Sequence, residues 1–266
     1  MKNRLLLLFL FCIVVLSTHA QQPNPQHPDP NFELYILAGQ SNMAGRGYIT
    51  GDFKTEGDSR VYMLTKDNTW VVAKHPVHFD KPVAGVGPGL MFGVEMAKTS
   101  ANPNIKIGLI PTAVGGSPIE HWLPGAYDAA TKTHPYDDAV VRIKEAMKYG
   151  VIKGIIWHQG EANSKPEQAK IYLAQLKELI ERFRVLVNNP NLPFVAGELG
   201  RYRPEFDNIN KELVNLPAMV PYTAVATTEG LVHRGDTLHF DSPSADEFGR
   251  RYAKKMLEVQ KKANKK

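Results

Sequence analysis

Past residue 12 the chain has no cysteine; the single one, Cys12, falls in an N-terminal segment that reads as removable. A body without thiols forms no disulfide and offers no thiolate to a metal, so it must hold together by its apolar core. Long apolar runs are lacking as well. After residue 16 no stretch approaches the roughly 20 apolar residues a helical membrane span needs. Charged residues make up a modest 22%, and the middle of the chain has no face where basic and aromatic side chains interleave, which argues against a nucleic-acid partner. No internal linker interrupts the sequence.

What is present begins with a leader. Lys2 and Arg4 precede the apolar run 5–16, and Ser17, Thr18, His19 and Ala20 follow it. This three-part pattern predicts a signal peptide cleaved after Ala20, and hence an exported protein, secreted or periplasmic, with no membrane span once the signal is gone. The loss of Lys2 and Arg4 takes the formal charge from +5 to +3, and several of the remaining cations cluster at the C-terminus as a solvated helix end. Residues 21–31 carry four prolines and predict an extended, poorly ordered lead-in. Residues 32–266 then suit one α/β domain.

Within that body, strands and helices alternate. Apolar runs at 32–38, 105–110, 151–157, 192–199 and 222–227 read as five buried strands, and a short pair at 60–64 and 69–73 as a small hairpin on the rim. Helical spacing is expected over 90–98, 136–149, 166–187, from about 207, and over 244–259. Alternation of this kind argues for a mostly parallel sheet covered by helices on both faces, whose functional loops gather at the carboxyl ends of the strands.

Four such loops carry polar groups suited to acyl transfer. The first strand stops at Gly39 and passes at once to Ser41, the candidate nucleophile; a serine that merely caps a following helix fits the same residues. The last loop contains Asp236 and His239. Three apart in a turn, an aspartate can fold back onto the histidine Nδ1–H and leave Nε2 free to take the serine proton. His233 is a weaker second base, and Asp241 a competing partner. Negative charge on a tetrahedral intermediate needs waiting donors, and three are available: the Ser41 amide, an amide at Gly115 or Gly116, and the side-chain amide of Gln159. Glu161 either supports Gln159 or a substrate hydroxyl, or caps the next helix. Trp122 is either an aromatic face for a sugar, beside His121 and Glu120, or a ring packed under its loop.

The blocks Gly39-Gln40-Ser41-Asn42-Met43, Gly115-Gly116-Ser117, Trp157-His158-Gln159-Gly160-Glu161 and Asp236-Thr237-Leu238-His239 resemble those of the SGNH hydrolase superfamily. Within it they are similar to the acetylesterases of carbohydrate esterase family six and the sialate O-acetylesterase-like domains. The resemblance implies a flavodoxin-like, three-layer α/β/α sandwich around a five-stranded sheet and a Ser41/His239/Asp236 triad. It also implies removal of acetyl groups from carbohydrate, with acetylated xylan or another plant polysaccharide foremost. Gln40 and Asn42 enter as supporting or substrate-binding residues. Gln159 stands where the superfamily usually has asparagine. No cofactor or metal is expected. Acetylated sialic acid or another short-chain ester is the alternative substrate, and a carbohydrate-binding module the alternative without catalysis. Metal-dependent deacetylation through His158, Glu161, His233, His239 and Asp236 matches no compact ligand spacing.

Overall fold

The structure, a computed structural model, describes residues 27–264. The leader expected at 1–20, with Cys12, and most of the proline-rich lead-in lie outside the described residues. The end of that lead-in is held: the Asp29 amide donates to the Tyr149 carbonyl at 2.9 Å, and Asn31 accepts from the Asn102 side chain at 2.8 Å.

The apolar run that starts the body forms strand β1 (Phe32–Gly39), followed directly by the short helix α1 (Ser41–Ala44). Next come β2 (Val61–Leu64), β3 (Trp70–Val72), helix α2 (Gly89–Thr99), β4 (Lys106–Pro111) and α3 (Pro135–Ala146). The second half runs β5 (Val151–His158), α4 (Pro166–Leu186), β6 (Phe194–Gly197), α5 (Phe206–Leu213), α6 (Leu216–Met219), β7 (Thr223–Ala226) and α7 (Ser242–Ala263). Proline opens α3 and α4, where its missing N–H and fixed φ cost nothing.

The strands form one sheet of seven, ordered β3-β2-β4-β1-β5-β6-β7, in which only β3 runs antiparallel to its neighbour. β1 lies at the centre, paired in parallel with β4 and β5. Its period-two alternation divides the core between two faces. Leu34, Ile36 and Ala38 join the cluster with Ile143 of α3 and Leu176 and Phe183 of α4. Tyr35 and Leu37 join the other, with Phe92 of α2 and Phe248 and Tyr252 of α7. A strand buried on both sides has to be apolar throughout, as a central parallel strand is.

The expected five-stranded sheet is therefore corrected to seven. The hairpin lies at the sheet's edge but belongs to the sheet, because Val61, Tyr62 and Met63 pair in parallel with Ile107, Gly108 and Leu109 of β4. Buried Val61 and Leu64 anchor it to the core. Strands of four and three residues are too short to show a period, and only the pairing with β4 reveals their place.

Because six strands share one direction, the chain leaves β1, β4, β5, β6 and β7 at the same edge. At the first exit the geometry is severe. Gly39 has φ of +128°, and a Cβ there would drive into the backbone of His158 on β5. Gly39→Ala should cost about 3 kcal/mol or more of stability in denaturant unfolding, since neither backbone can yield. Gly51→Ala, at a positive φ in open space, should cost only about 1 kcal/mol.

Candidate active site

The turn after β1 is fixed before any side chain acts. The Gln40 amide donates to the His158 carbonyl at 2.8 Å, and the amides of Met43 and Ala44 close onto the Gln40 carbonyl, which starts α1 at Ser41. Ser41 is 7% exposed, its hydroxyl facing the loop after β7. Its own amide has no acceptor among the described residues, as expected in the first turn of a helix.

Asn42 then ties that turn to the last loop. Its Nδ2 donates to the Leu238 carbonyl at 3.1 Å, and its Oδ1 accepts from the Phe240 amide at 3.1 Å. Those two groups flank His239. A second Nδ2 hydrogen bond, 2.7 Å to Glu161 Oε1, fixes the side chain's rotation.

His239, Ser41 and Asp236 come together in a line. His239 Nε2 lies 3.1 Å from Ser41 Oγ, and His239 Nδ1 lies 2.7 Å from Asp236 Oδ2. Asp236 accepts further from the amides of Leu238 and His239, at 2.9 and 2.8 Å, and from Arg234 Nε at 2.8 Å. Burial alone would push this carboxyl up, but those donors together hold it well below the usual carboxylate range. For His239, burial pushes the imidazole down from its ordinary value, and the Asp236 carboxylate only partly opposes that. The ring is thus neutral near pH 7, with Nδ1–H toward Asp236 and a free lone pair on Nε2.

The two competing groups are occupied elsewhere. His233 Nδ1 accepts from the amides of Gly235 and Thr237, at 3.0 and 3.1 Å, and shapes the loop instead of facing the serine. Asp241 caps α7, accepting from the Ser244 amide at 2.8 Å.

The expected donors for an oxyanion are sorted by the structure. The Gly115 amide is already given to Asp80 Oδ2 at 2.9 Å. Gly116, exposed with φ of +94°, keeps an amide with no acceptor among the described residues. The Gln159 side chain is fully buried, and its Nε2 donates to Asn163 Oδ1 at 2.7 Å and to Gln40 Oε1 at 3.3 Å. That orientation is forced, because Asn163 Oδ1 also accepts from the Ile119 amide at 3.1 Å. Gly115 and Gln159 are therefore removed from the donor set, since their N–H groups are spent inside the protein. Gln159 and Asn163 instead fasten the β5 loop to the β4 loop, and Asn163 continues to Glu120 at 2.7 Å.

Trp122 is fully buried, so the sugar-platform expectation is corrected. It stacks edge to face on Trp157, with centroids 5.1 Å apart, and donates from Nε1 to Ser117 Oγ at 3.1 Å. The ring supports the Gly115–Gly116 turn from below. Glu161 caps no helix; Oε1 holds Asn42, while the buried Oε2 has no partner among the described residues. His158, also buried, points Nε2 at the Glu198 carbonyl, 3.0 Å away. Among the described residues no group of three or more His, Cys, Asp and Glu side chains is placed to hold a metal ion.

Three contributors went unseen in the sequence. Arg46 and Asp80 form a buried ion pair at 2.6 Å, and Arg234 joins Asp236 to the Arg46 carbonyl, which its Nη1 reaches at 2.7 Å. Arg46 lies just past the serine block in a glycine-rich stretch that reads as surface, and no sequence spacing pairs it with Asp80.

Known proteins share this chain's sequence pattern and fold. A probable carbohydrate esterase of Arabidopsis thaliana is 29% identical over 246 residues, 86% of this chain and 91% of that protein. The crystal structure of that plant protein superposes with a TM-score of 0.77 at 28% identity, covering 86% of this chain and 99% of the other. NanS shares the fold at a TM-score of 0.72 and 16% identity, over 88% of this chain and 99% of its own. A carbohydrate acetylesterase from Xanthomonas citri does so at 0.67 and 18%, over 86% of this chain and 57% of its own. The family model described as carbohydrate esterase, sialic acid-specific acetylesterase, matches residues 31–258, and the chain belongs to that family of carbohydrate acetylesterases.

Proposed function

We propose that this chain is an exported serine esterase that removes O-acetyl groups from carbohydrate through an acyl-enzyme. The observation that carries the reading is the line Ser41 Oγ, His239 Nε2, His239 Nδ1, Asp236 Oδ2, with 3.1 and 2.7 Å between its partners. Ser41 Oγ attacks the acetyl carbonyl while His239 Nε2 takes its proton. Negative charge gathers on the former carbonyl oxygen, and the free amides of Ser41 and Gly116 are the donors for it. Such a donor is worth about 3 kcal/mol of barrier. Collapse breaks the bond to the sugar oxygen, which leaves with the proton from His239. Water, deprotonated in turn by His239, then attacks the acetyl-serine and releases acetate. Asp236 keeps its charge throughout and stabilises the imidazolium.

For the sugar, an exposed aromatic one arginine away from this line is Tyr48, 63% exposed, with the Arg234 guanidinium carbon 5.4 Å from its ring centroid. Tyr48 replaces Trp122 as the platform in our reading. A neutral, acetylated plant polysaccharide such as xylan is the substrate placed first. An O-acetylated sialate is the second reading, supported by the family's description and by Arg234 Nη2, which has no partner among the described residues and suits a carboxylate.

Acetate release from acetylated xylan, acetylated mannan, O-acetyl sialic acid and acetylated peptidoglycan, with p-nitrophenyl acetate as control, tests activity and substrate together. Ser41→Ala should lower turnover of every active substrate by about ten-thousand-fold or more with the fold intact, and retained turnover would sink the mechanism. His239→Ala should act nearly as strongly, and Asp236→Asn less, by about a hundred- to ten-thousand-fold.

The pH profile follows from the direction of the histidine shift. Since neutral His239 is the active form and burial lowers its pKa, the acid limb of kcat/KM should lie below the ordinary histidine value of about 6.5. Asp236 raises that pKa, so Asp236→Asn should move the limb to still lower pH as the rate falls. A limb that stayed put or moved up would contradict the assignment of Asp236.

Tyr48→Ala should raise KM for the preferred glycan by about five- to tenfold, the worth of one stacking face, with a much smaller effect on p-nitrophenyl acetate. Equal effects on both would remove Tyr48 from the sugar site.

A further inference from the structure

The chemistry above leaves a buried ion pair without a role. Arg46 and Asp80 have side chains 4% and 3% exposed, and they meet twice, Nη2 to Oδ2 at 2.6 Å and Nη1 to Oδ1 at 3.3 Å. Two charges taken out of water rarely add net stability, so the pair invites a reason beyond it. Its connections supply one. Asp80 Oδ2 accepts the Gly115 amide at 2.9 Å, and a Cβ at Gly115 would collide with the Arg46 guanidinium and come within 2.7 Å of Asp80 Oδ2. The same loop is fixed at its other end by the Val114 amide on the Gly39 carbonyl, at 2.9 Å, two residues before Ser41. On the opposite side the Arg46 carbonyl receives Arg234 Nη1, whose Nε holds Asp236.

We infer that Asp80, held by Arg46, is the positioning residue for the oxyanion side of the site: by consuming the Gly115 amide it sets the peptide plane that turns the Gly116 amide to the acyl oxygen. The inference rests on the esterase reading of Ser41 and His239. Asp80 touches neither substrate nor reacting atoms; it acts through the turn. A glycine is needed at 115 because the carboxylate and guanidinium occupy the space of a side chain, and at 116 because φ of +94° strains any other residue. Arg46 serves both flanks at once. Its side chain fixes the acceptor under the oxyanion loop, and its main chain anchors the arginine that steadies the acid of the triad.

The test compares Asp80→Asn with Asp80→Ala in the purified protein. Both leave the buried Arg46 charge without a counter-charge, so both carry that penalty. Only asparagine keeps an oxygen where the Gly115 amide and Arg46 Nη2 converge; the flipped amide would set Nδ2 against two donors. Expected is a loss of kcat on p-nitrophenyl acetate in Asp80→Ala of about ten- to a hundredfold, the scale of a misplacement near 1 Å, with KM changed less than about threefold. Asp80→Asn should exceed Asp80→Ala in kcat by about tenfold or more. Equal kcat in the two variants, both folded by circular dichroism, overturns the proposal. If the unpaired arginine unfolds both, R46M/D80N and R46M/D80L repeat the comparison without a buried charge, and the same ratio decides it. Stoichiometric labelling of wild-type Ser41 by a phosphonate ester separates the two hypotheses. An unlabelled, inactive wild-type protein defeats the esterase reading, whereas a labelled, active one with equal Asp80 variants defeats only the positioning role.

Discussion

The site depends on one side chain that does no chemistry. Asn42 sits one residue after Ser41 and holds the carbonyl before His239 and the amide after it. Ser41 and His239 are 198 positions apart in the chain, and this pair of hydrogen bonds sets their separation with the accuracy of a local contact. An ordinary neutral hydrogen bond is worth about 1 kcal/mol net, so the clamp's importance lies in geometry more than in stability. Its rotation is in turn decided by Glu161, whose carboxylate takes the Asn42 hydrogen that would otherwise swing free.

Around that clamp the electrostatics are divided between two loops. Asp236 is half-exposed yet surrounded by four donors, two of them amides from its own turn, so its charge survives without needing deep burial. His239 is more enclosed, and burial keeps it neutral and ready to accept a proton. Both groups titrate below their ordinary values, the carboxyl because its donors outweigh burial and the imidazole because burial outweighs Asp236, which leaves a charged orienting group beside a neutral base. The Arg46–Asp80 pair and Arg234 form a continuous polar bridge behind this arrangement, joining the loop after β4, the turn after β1 and the loop after β7.

Much of the fold was legible because its central strands are buried on both faces, which forces unbroken apolar runs such as 32–38 and 151–157. The long helices were equally plain, since one-sided burial imposes helical spacing on 166–187. The hairpin at 61–72 lies at the rim as expected but was not counted in the sheet: a three-residue strand with one exposed face has no pattern that distinguishes an added sheet edge from a detached turn. Trp122 and Gln159 show the same limit within the site. Each is the right residue type for the role expected of it, but a side chain's direction is set by neighbours that arrive from other parts of the chain. For Trp122 those are Trp157 and Ser117, and for Gln159 they are Asn163 and Gln40.

The sequence by itself determined the parallel α/β architecture and the family-like blocks at four strand ends, and it named Ser41, His239 and Asp236 as candidates. These are local matters: apolar period, a glycine before a serine, an aspartate three before a histidine. Only the tertiary structure decided which amides remain free for an oxyanion, which aromatic ring faces solvent, and that Arg46 is buried on Asp80. Those outcomes turn on whether a donor has already met an acceptor or a ring has already met a neighbour. Such meetings are between residues far apart in the chain, whose spacing leaves no periodic trace.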